Sequence, residues 1–203
     1  SDVYKRQREW RRATSSSQAR LRCHHCLRSH ADRVHSKAHV PPSDQPGYVS
    51  YDIFEMGVPH VHGGQRYVIG FHDNFSKVNR LYLLHRKSDA PVAMRSFHAW
   101  ARSHGVDVRR MHADNADELT GPKLKTEWAN KGVRLSACAP YEPRGNGEME
   151  RQWRTIANDT RHVLAVSRMP SSYWWYAMRG SVAASWSIPL NAEETPWSRW
   201  AGH

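Results

Sequence analysis

Residues 48–85 read YVSYDIFEMGVPHVHGGQRYVIGFHDNFSKVNRLYLLH, and this stretch decides the fold. It contains three runs rich in β-branched and aromatic residues, which are separated by Gly, Pro, Asn and Asp. The runs predict three strands over Tyr48–Met56, Arg66–His72 and Val78–His85. Because the connections between them are short, neighbouring strands should pair as an antiparallel meander.

After this meander the sequence alternates between helix and strand patterns. Helical spacing follows Ser88-Asp89-Ala90-Pro91 and stops at Gly105, and a fourth strand is predicted over Val106–Ala113. The later elements are a polar helix over Pro122–Lys131, a fifth strand over Val133–Ala137, a long amphipathic helix from about Glu148 to Val166, and an aromatic-rich helix that follows Pro170 and ends near Pro189. This order predicts an α/β fold with a five-stranded mixed sheet, three antiparallel strands and then two more, flanked by helices.

Three acids that lie far apart in the sequence occupy suitable places for one metal site. Asp52 lies in the first predicted strand, Asp114 directly follows the fourth, and Glu150 begins the long helix. In open sheets of this kind, strand ends bring side chains together at one edge. Three carboxylates in one place repel one another unless cations neutralise them, and Mg²⁺ prefers oxygen ligands. The pattern therefore predicts two Mg²⁺ or Mn²⁺ ions and phosphodiester chemistry.

Glu148 is the alternative to Glu150 as the third acid. Two residues apart on a helix, the side chains point about 200° away from each other, so both cannot face the metals. No arrangement of Ser, His and Asp or of Cys and His stands out as a protein nucleophile.

The net charge of +11 is unevenly distributed. Residues 1–22 hold seven Lys/Arg against two acids, and residues 23–42 hold three against one. The other 161 residues hold twenty against sixteen, a net of +4. The charge favours a polyanionic partner for the whole chain, mainly through the N-terminal segment.

Cysteine usage and apolar runs bear on the compartment. An odd count of three cysteines (Cys23, Cys26 and Cys138) argues against a disulfide framework and favours a reducing, intracellular setting. No apolar run approaches the roughly 18 residues that a membrane span needs, and no signal-peptide pattern is seen. We therefore expect no membrane partner.

Five motifs occur in a fixed order between Tyr51 and Gly202. They are Tyr51-Asp52-Ile53 with Met56-Gly57; Arg66-Tyr67-Val68 followed by Phe71-His72-Asp73-Asn74-Phe75-Ser76-Lys77; Ala113-Asp114-Asn115-Ala116-Asp117-Glu118-Leu119; Pro140-Tyr141-Glu142-Pro143-Arg144-Gly145-Asn146-Gly147-Glu148-Met149-Glu150-Arg151; and Thr195-Pro196-Trp197-Ser198-Arg199-Trp200-Ala201-Gly202. Together they resemble the integrase core of copia-type long-terminal-repeat retrotransposons, a retroviral-integrase-like member of the ribonuclease H-like superfamily. The resemblance covers about residues 44–203 and implies the ribonuclease H-like fold.

The resemblance also implies an activity. Matched position by position, Asp52, Asp114 and Glu150 correspond to the metal-binding catalytic triad of the family. Water would first attack a phosphodiester near the DNA end of the element, and the freed 3′ hydroxyl would then attack target DNA. The implied partners are double-stranded DNA and further copies of the full-length protein, in the nucleus or a virus-like particle.

Several polar residues near the triad are candidates for DNA contact, and Arg154 and Arg161 share the Glu150 side of the helix. The candidates are Asn115, Arg144, Asn146, Arg151, Arg154 and Arg161. For Arg161 a solvated helix face is an equally good interpretation. Asp73, Asp117 and Glu118 are interpreted as turn or capping residues, and not as ligands.

Cys23-His24-His25-Cys26 resembles the cysteine half of the integrase zinc module, whose histidine pair normally lies upstream. No histidine precedes His24 in this sequence. Structural Zn²⁺ takes four ligands. Zinc bound by Cys23 and Cys26 would need either an upstream histidine pair outside this sequence or substitutes among His30, His35 and His39.

We expect four segments. Residues 1–22 would be a basic segment, disordered or foreign to the natural protein, because Asp2–Gln7 resembles a translated sequencing-library adapter. Residues 23–43 would be a partial zinc module and linker, 44–167 the catalytic core, and 168–203 a helical extension.

Two other interpretations remain open. One is a nucleic-acid-binding fragment that keeps the fold and has lost its chemistry, which suits Ala116 and Asp117 in place of the paired glycines of the family motif. The other is a ribonuclease H-like nuclease. For the isolated fragment we expect weak or no concerted integration.

Overall fold

The computed structural model describes residues 44–113, 117–137 and 147–202. Within them the strands are β1 (Tyr48–Glu55), β2 (Tyr67–Asp73), β3 (Asn79–Leu84), β4 (Arg110–Ala113) and β5 (Arg134–Ala137). The helices are α1 (Ala90–Ser103), α2 (Asp117–Thr120), α3 (Pro122–Ala129), α4 (Gly147–Ser167), α5 (Trp174–Ser185) and α6 (Pro196–Ala201). Single turns of 3₁₀ helix, Lys87–Asp89 and Ser171–Tyr173, precede α1 and α5.

The strands form one mixed sheet in the order β3-β2-β1-β4-β5. β1 pairs with β2, and β2 with β3, in antiparallel fashion, whereas β4 is parallel to both β1 and β5. The five-stranded mixed sheet predicted from the sequence is therefore confirmed. β1 is the central strand: Val49–Glu55 pair with β2, and Tyr48–Ser50 pair with β4.

Alternation along β1 divides its side chains between two hydrophobic clusters. Val49 and Tyr51 are fully buried on the face that packs against α1 and α3, where the Tyr51 hydroxyl donates a 2.6 Å hydrogen bond to the Leu119 carbonyl. The opposite face packs against α4 and α5. There the Phe54 ring lies 5.2 Å from the Trp153 ring, measured between centroids.

Helix α4 buries one stripe of its surface against the sheet. Met149, Trp153 and Ile156 are each at most 5% exposed and belong to the same cluster as Val68 of β2. Burial of each apolar side chain of this size stabilises the fold by roughly 1.5–3 kcal/mol. The predicted amphipathic helix from about 148 to 166 is thus present. Because its apolar stripe faces the sheet, the residues on either side of the stripe form the two flanks of α4.

Three parts of the fold differ from the sequence predictions. β4 begins at Arg110, and not at Val106, because the Val106 N–H still donates to the Ala101 carbonyl of α1 and bonding to the β1 segment starts only at Arg109 and Arg110, whose N–H groups donate to the Gly47 carbonyl. The last long helix begins as a 3₁₀ turn and ends at Ser185. The short helices α2 and α6 were not predicted; α6 begins where the Thr195 hydroxyl accepts a hydrogen bond from the Ser198 N–H.

None of the helices in the described ranges is long and apolar enough to cross a membrane.

Candidate active site

Asp52 lies in β1 and faces helix α4. Its partner across the antiparallel β1–β2 pair is Gly70, and directly opposed residues project from the same face of a sheet. Phe54, two residues further along β1, packs against Trp153 of α4 on that face. The Asp52 side chain is partly buried, and its Oδ1 accepts a 2.7 Å hydrogen bond from the Ile53 N–H.

Helix α4 packs closely on the sheet at Gly70, directly across from Asp52. A Cβ atom placed on Gly70 would lie 2.6 Å from Met149 Cε and 2.8 Å from Trp153 Cζ2. Only a residue without a side chain permits this approach. The first turns of α4 therefore lie beside Asp52.

The two acids of the first turn lie on opposite flanks of α4. Successive helical residues are rotated by about 100°, so Glu148 and Glu150 project to either side of Met149, which faces the sheet. The Glu148 carboxylate reaches His72 of β2 and Lys77 of the β2–β3 turn. Glu150 is exposed and lies on the other flank, away from His72 and Lys77. This geometry favours Glu150 over Glu148 as the partner of Asp52.

Glu148 belongs to a compact charged cluster. Its Oε1 lies 3.7 Å from His72 Nε2, just beyond hydrogen-bonding reach, and 3.5 Å from Lys77 Nζ, while its Oε2 accepts a 2.7 Å hydrogen bond from Arg151. The pKa of Glu148 is lowered to about 2, mainly by the neighbouring His72 ring, and Lys77 and Arg151 add to this effect. Burial of the carboxyl group opposes the shift. Glu148 is therefore ionised, and its carboxylate contacts the positively charged side chains of Lys77 and Arg151.

Sequence reasoning missed a polar group beside α4, formed by His72, Lys77 and Asn79. His72 is fully buried, and its Nδ1 lies 3.0 Å from Asn79 Oδ1. The Asn79 amide in turn donates to Gln152 of α4 at 3.4 Å. The available signal was the alternation in β2, which puts His72 on the same face as Gly70 in an otherwise apolar strand.

Asp73 is a turn residue, as predicted. It is 1% exposed, and its carboxylate accepts hydrogen bonds from the Gly47 N–H at 2.8 Å and from both the N–H and the hydroxyl of Ser76 at 2.7 Å. With three donors around it, this carboxylate joins the start of β1 to the β2–β3 turn.

The third predicted acid, Asp114, lies outside the described residues, as do Asn115, Arg144, Asn146, Cys23 and Cys26. In sequence Asp114 directly follows Ala113, the last residue of β4. Two of the three predicted metal ligands are thus described. Among the residues that the structure describes, no three His, Cys, Asp or Glu side chains are grouped so that they could hold a metal ion.

The other predicted DNA-contact residues lie along the exposed side of α4. Arg151, Arg154 and Arg161 are all exposed. At offsets of four and eleven residues from Glu150, Arg154 and Arg161 share its side of the helix. Arg151 is already bound to Glu148, and Arg161 donates to Asn158.

A second basic row, which sequence reasoning missed, crosses the sheet on the same face. The register aligns Tyr48, Arg110 and Arg134 across β1, β4 and β5. The Arg110 guanidinium lies 5.0 Å from the centre of the Tyr48 ring, and its Nε donates to Ser136 at 3.3 Å. Arg134 is exposed.

No protein-family model matches the sequence. Among curated proteins, the retrovirus-related Pol polyprotein from transposon TNT 1-94 of Nicotiana tabacum is 31% identical over 142 residues, which cover 68% of this chain and 11% of that protein. The retrovirus-related Pol polyprotein from transposon RE1 of Arabidopsis thaliana is 25% identical over 186 residues, 90% of this chain and 12% of that protein. The chain therefore spans about a tenth of the length of these relatives.

Solved structures with the same fold are retroviral integrases. A chain of the simian T-cell lymphotropic virus intasome in complex with PP2A regulatory subunit B56 gamma matches with a TM-score of 0.64, at 15% identity over 88% of this chain and 63% of that one. The catalytic core domain of BIV integrase matches with a TM-score of 0.54, at 15% identity over 77% of this chain and 94% of that one. The HTLV-2 integrase catalytic core domain in complex with magnesium matches with a TM-score of 0.55, at 12% identity over 77% of this chain and 97% of that one.

At 12–15% identity the solved structures establish the fold alone. The curated relatives show that the chain is similar to part of a retrovirus-related Pol polyprotein. In sequence and in fold, this chain matches the integrase catalytic core of a copia-type retrotransposon polyprotein.

Proposed function

We propose that this chain carries the catalytic centre of a retrotransposon integrase, which processes DNA 3′ ends and transfers them into target DNA, with Asp52, Asp114 and Glu150 as the metal ligands. The observation that carries the proposal is the position of α4: Met149 packs on Gly70, the pairing partner of Asp52, and Glu148 is held on the flank of His72 and Lys77, so Glu150 lies on the opposite flank. We infer that Asp52 and Glu150, from distant parts of the chain, meet at one metal site.

The register of β1 and β4 supports Asp114 as the third ligand. Ser50 of β1 pairs with His112 of β4 in parallel register. Asp52 and Asp114 each follow these residues by two positions in sequence. The two strands are therefore parallel neighbours just before each acid, which suits Asp52 and Asp114 as ligands of one metal site.

These donors fit divalent magnesium. All three side chains offer carboxylate oxygens, the ligand type that Mg²⁺ prefers, and the exposed Glu150 leaves room for water and phosphate. A pair of such ions, when bound, lowers the pKa of a water and stabilises the leaving oxygen of an in-line displacement. Asp52 would hold its place through the Ile53 N–H, and Glu150 would approach from the helix.

DNA would lie along the outer side of α4. Arg154 and Arg161 are exposed on the Glu150 side of the helix, where they can contact successive phosphates. Arg151, and on the flanking segments Asn115, Arg144 and Asn146, would complete the contacts nearest the reacting phosphodiester. The full-length protein would act on element ends and target DNA as a multimer, in the nucleus or a virus-like particle.

The test is cleavage near the ends of a labelled blunt duplex with Mg²⁺ or Mn²⁺, for the wild-type chain and for Asp52→Asn, Asp114→Asn and Glu150→Gln. Each substitution should reduce cleavage by at least about 100-fold, because loss of one ligand misplaces the reacting groups. The control is Glu127→Gln, since Glu127 of α3 makes an exposed ion pair with Arg95 of α1, on the opposite face of the sheet. Full activity in all three acid variants would refute the proposed site.

The same assay separates the two alternative functions. A chain that binds duplex in a salt-dependent manner and never cleaves it is a fragment that has lost its chemistry. Cleavage of an RNA:DNA hybrid, with no joining of DNA ends, indicates a ribonuclease. Zinc binding by Cys23 and Cys26 and the four segment boundaries remain predictions.

A further inference from the structure

We infer that Glu148 is a positioning residue: together with Gln152 it clamps α4 to the β2–β3 hairpin and so sets the place of Glu150 beside Asp52. This inference rests on the function proposed above. The name "α4 clamp" denotes Glu148 and Gln152 with their partners His72, Lys77 and Asn79. Glu148 and Gln152 are four residues apart, so they lie on one flank of the helix.

The first half of the α4 clamp is a charge contact with a buried ring. The side chain of His72 is 0% exposed and that of Glu148 is 13% exposed, and their nearest polar atoms are 3.7 Å apart. Lys77 adds a positive charge 3.5 Å from the same carboxylate oxygen. His72 is sealed from solvent, and its Nε2 makes no hydrogen bond within the part of the chain that the structure describes. The Glu148 carboxylate is the polar group beside this nitrogen, and loss of Glu148 removes that contact.

The second half of the α4 clamp involves the other nitrogen of the His72 ring, together with Asn79 and Gln152. His72 Nδ1 lies 3.0 Å from Asn79 Oδ1, and Asn79 Nδ2 donates to Gln152 Oε1 at 3.4 Å. One imidazole therefore connects two consecutive turns of α4 to two adjacent strands. A rotation of α4 about its axis would lengthen the contacts of Glu148 and Gln152 together.

Rotation matters because Glu150 lies on the opposite flank. A side chain that reaches about 5–6 Å from the helix axis moves by about 1 Å when the helix turns by 10°. A displacement of this size at a reacting centre can cost about 100-fold in rate. The apolar contact of Met149 and Trp153 with Gly70 fixes the height of α4 above the sheet, whereas the α4 clamp fixes its rotation.

The test compares Glu148→Ala, Glu148→Gln and Glu150→Gln with the wild-type 203-residue chain. Two quantities are measured: Mn²⁺ affinity, from the electron paramagnetic resonance signal of free Mn²⁺, and the rate of duplex end cleavage. Glu148→Ala should weaken Mn²⁺ binding and slow cleavage by about 10–100-fold, the usual effect of removing a partner that orients a metal ligand. Glu148→Gln keeps the size of the side chain and one acceptor oxygen, so it should retain more Mn²⁺ binding and cleavage than Glu148→Ala and stay within about fivefold of wild type.

A matched control and a folding check accompany these variants. Glu127→Gln removes a carboxylate that contacts Arg95 at 2.9 Å and Lys131 at 2.8 Å, a similar ion cluster on the other face of the sheet, and should change neither quantity. Circular dichroism shows whether Glu148→Ala is folded. If it is not, Gln152→Ala removes the second half of the α4 clamp without leaving a buried ring beside an apolar side chain, and should weaken Mn²⁺ binding by about 3–10-fold.

The outcomes separate this inference from the proposed function. Wild-type Mn²⁺ affinity and rate in Glu148→Ala and Gln152→Ala, with both lost in Glu150→Gln, would overturn the α4 clamp and leave the catalytic triad standing. Loss of both quantities in Glu148→Gln, with Glu150→Gln unaffected, would make Glu148 itself the ligand and overturn the positioning role. A folded wild-type chain that neither binds Mn²⁺ nor cleaves DNA would refute the proposed function and this inference with it.

Discussion

Replacing Gly70 with alanine should push α4 away from the sheet. The new Cβ would lie 2.6 Å from Met149 Cε and 2.8 and 2.9 Å from Trp153 Cζ2 and Cη2, whereas carbon atoms in contact are about 3.5–4.0 Å apart. The methyl end of Met149 can move aside. The Trp153 ring is rigid and packs against Phe54, so the helix must absorb a shift of nearly 1 Å.

The magnitude follows from two opposing effects. Overpacking of this kind costs about 1–3 kcal/mol, and alanine returns about 0.4–1 kcal/mol by restricting the unfolded chain. The free energy of unfolding should therefore fall by about 0.5–2 kcal/mol, and in a domain of this size each kcal/mol lowers the melting temperature by about 2–4 °C. Since the shift also displaces Glu150, Mn²⁺ affinity should fall as well.

Gly180→Ala is the matched control. Gly180 is exposed in the interior of α5, and a Cβ placed on it would meet nothing within 4 Å. Alanine in a helix interior is about 0.5–1 kcal/mol more favourable than glycine, so this variant should melt at a higher temperature than wild type. Thermal unfolding followed by circular dichroism measures both variants. A Gly70→Ala chain that melts at or above the wild-type temperature would show that α4 does not rest on the sheet at this residue.

Two further predictions concern buried carboxylates. The ordinary pKa of Glu148 is 4.5 and the folded protein lowers it to about 2, so its ionised form stabilises the fold fully above about pH 4.5, and this stabilisation is lost as the pH falls towards 2. Because its partners Lys77 and Arg151 are largely exposed, we expect about 1–2 kcal/mol, seen as a gap in urea-unfolding free energy between wild type and Glu148→Gln at pH 6. The gap should narrow below pH 4.5 and close only as the pH falls through about 2; a constant gap from pH 6 to pH 2 would contradict the assignment. Asp73→Asn replaces one acceptor oxygen with an NH₂ group, which then faces a hydrogen-bond donor. The free energy of unfolding should fall by about 1–3 kcal/mol in the same urea assay at neutral pH. An unchanged urea midpoint would argue against the three hydrogen bonds around Asp73.

Local patterns were sufficient for most of the elements. The first three strands were predicted to within two residues at each end, because alternation and turn residues are properties of neighbouring positions. The long helix was found from its apolar stripe, and Asp73 from its place in a turn motif. β4 was predicted too long, since nothing in the sequence of Val106–Arg109 reveals that the Val106 N–H will bond to Ala101 at the end of α1. The helix α6 was recognised as a motif and not as a helix, although its Thr195 cap is a local signal.

The sequence by itself determined the strands and helices, the order of the motifs and the choice of Asp52, Asp114 and Glu150 as candidates, because each depends on residues close together in the chain or on a pattern that resembles a known one. Tertiary structure alone decided which flank of α4 each acid occupies. That choice depends on Gly70 admitting the helix and on contacts such as Lys77–Glu148 and Asn79–Gln152, whose partners are 71 and 73 residues apart. Contacts at this separation form only after the sheet and the helix have come together, so no local pattern encodes them.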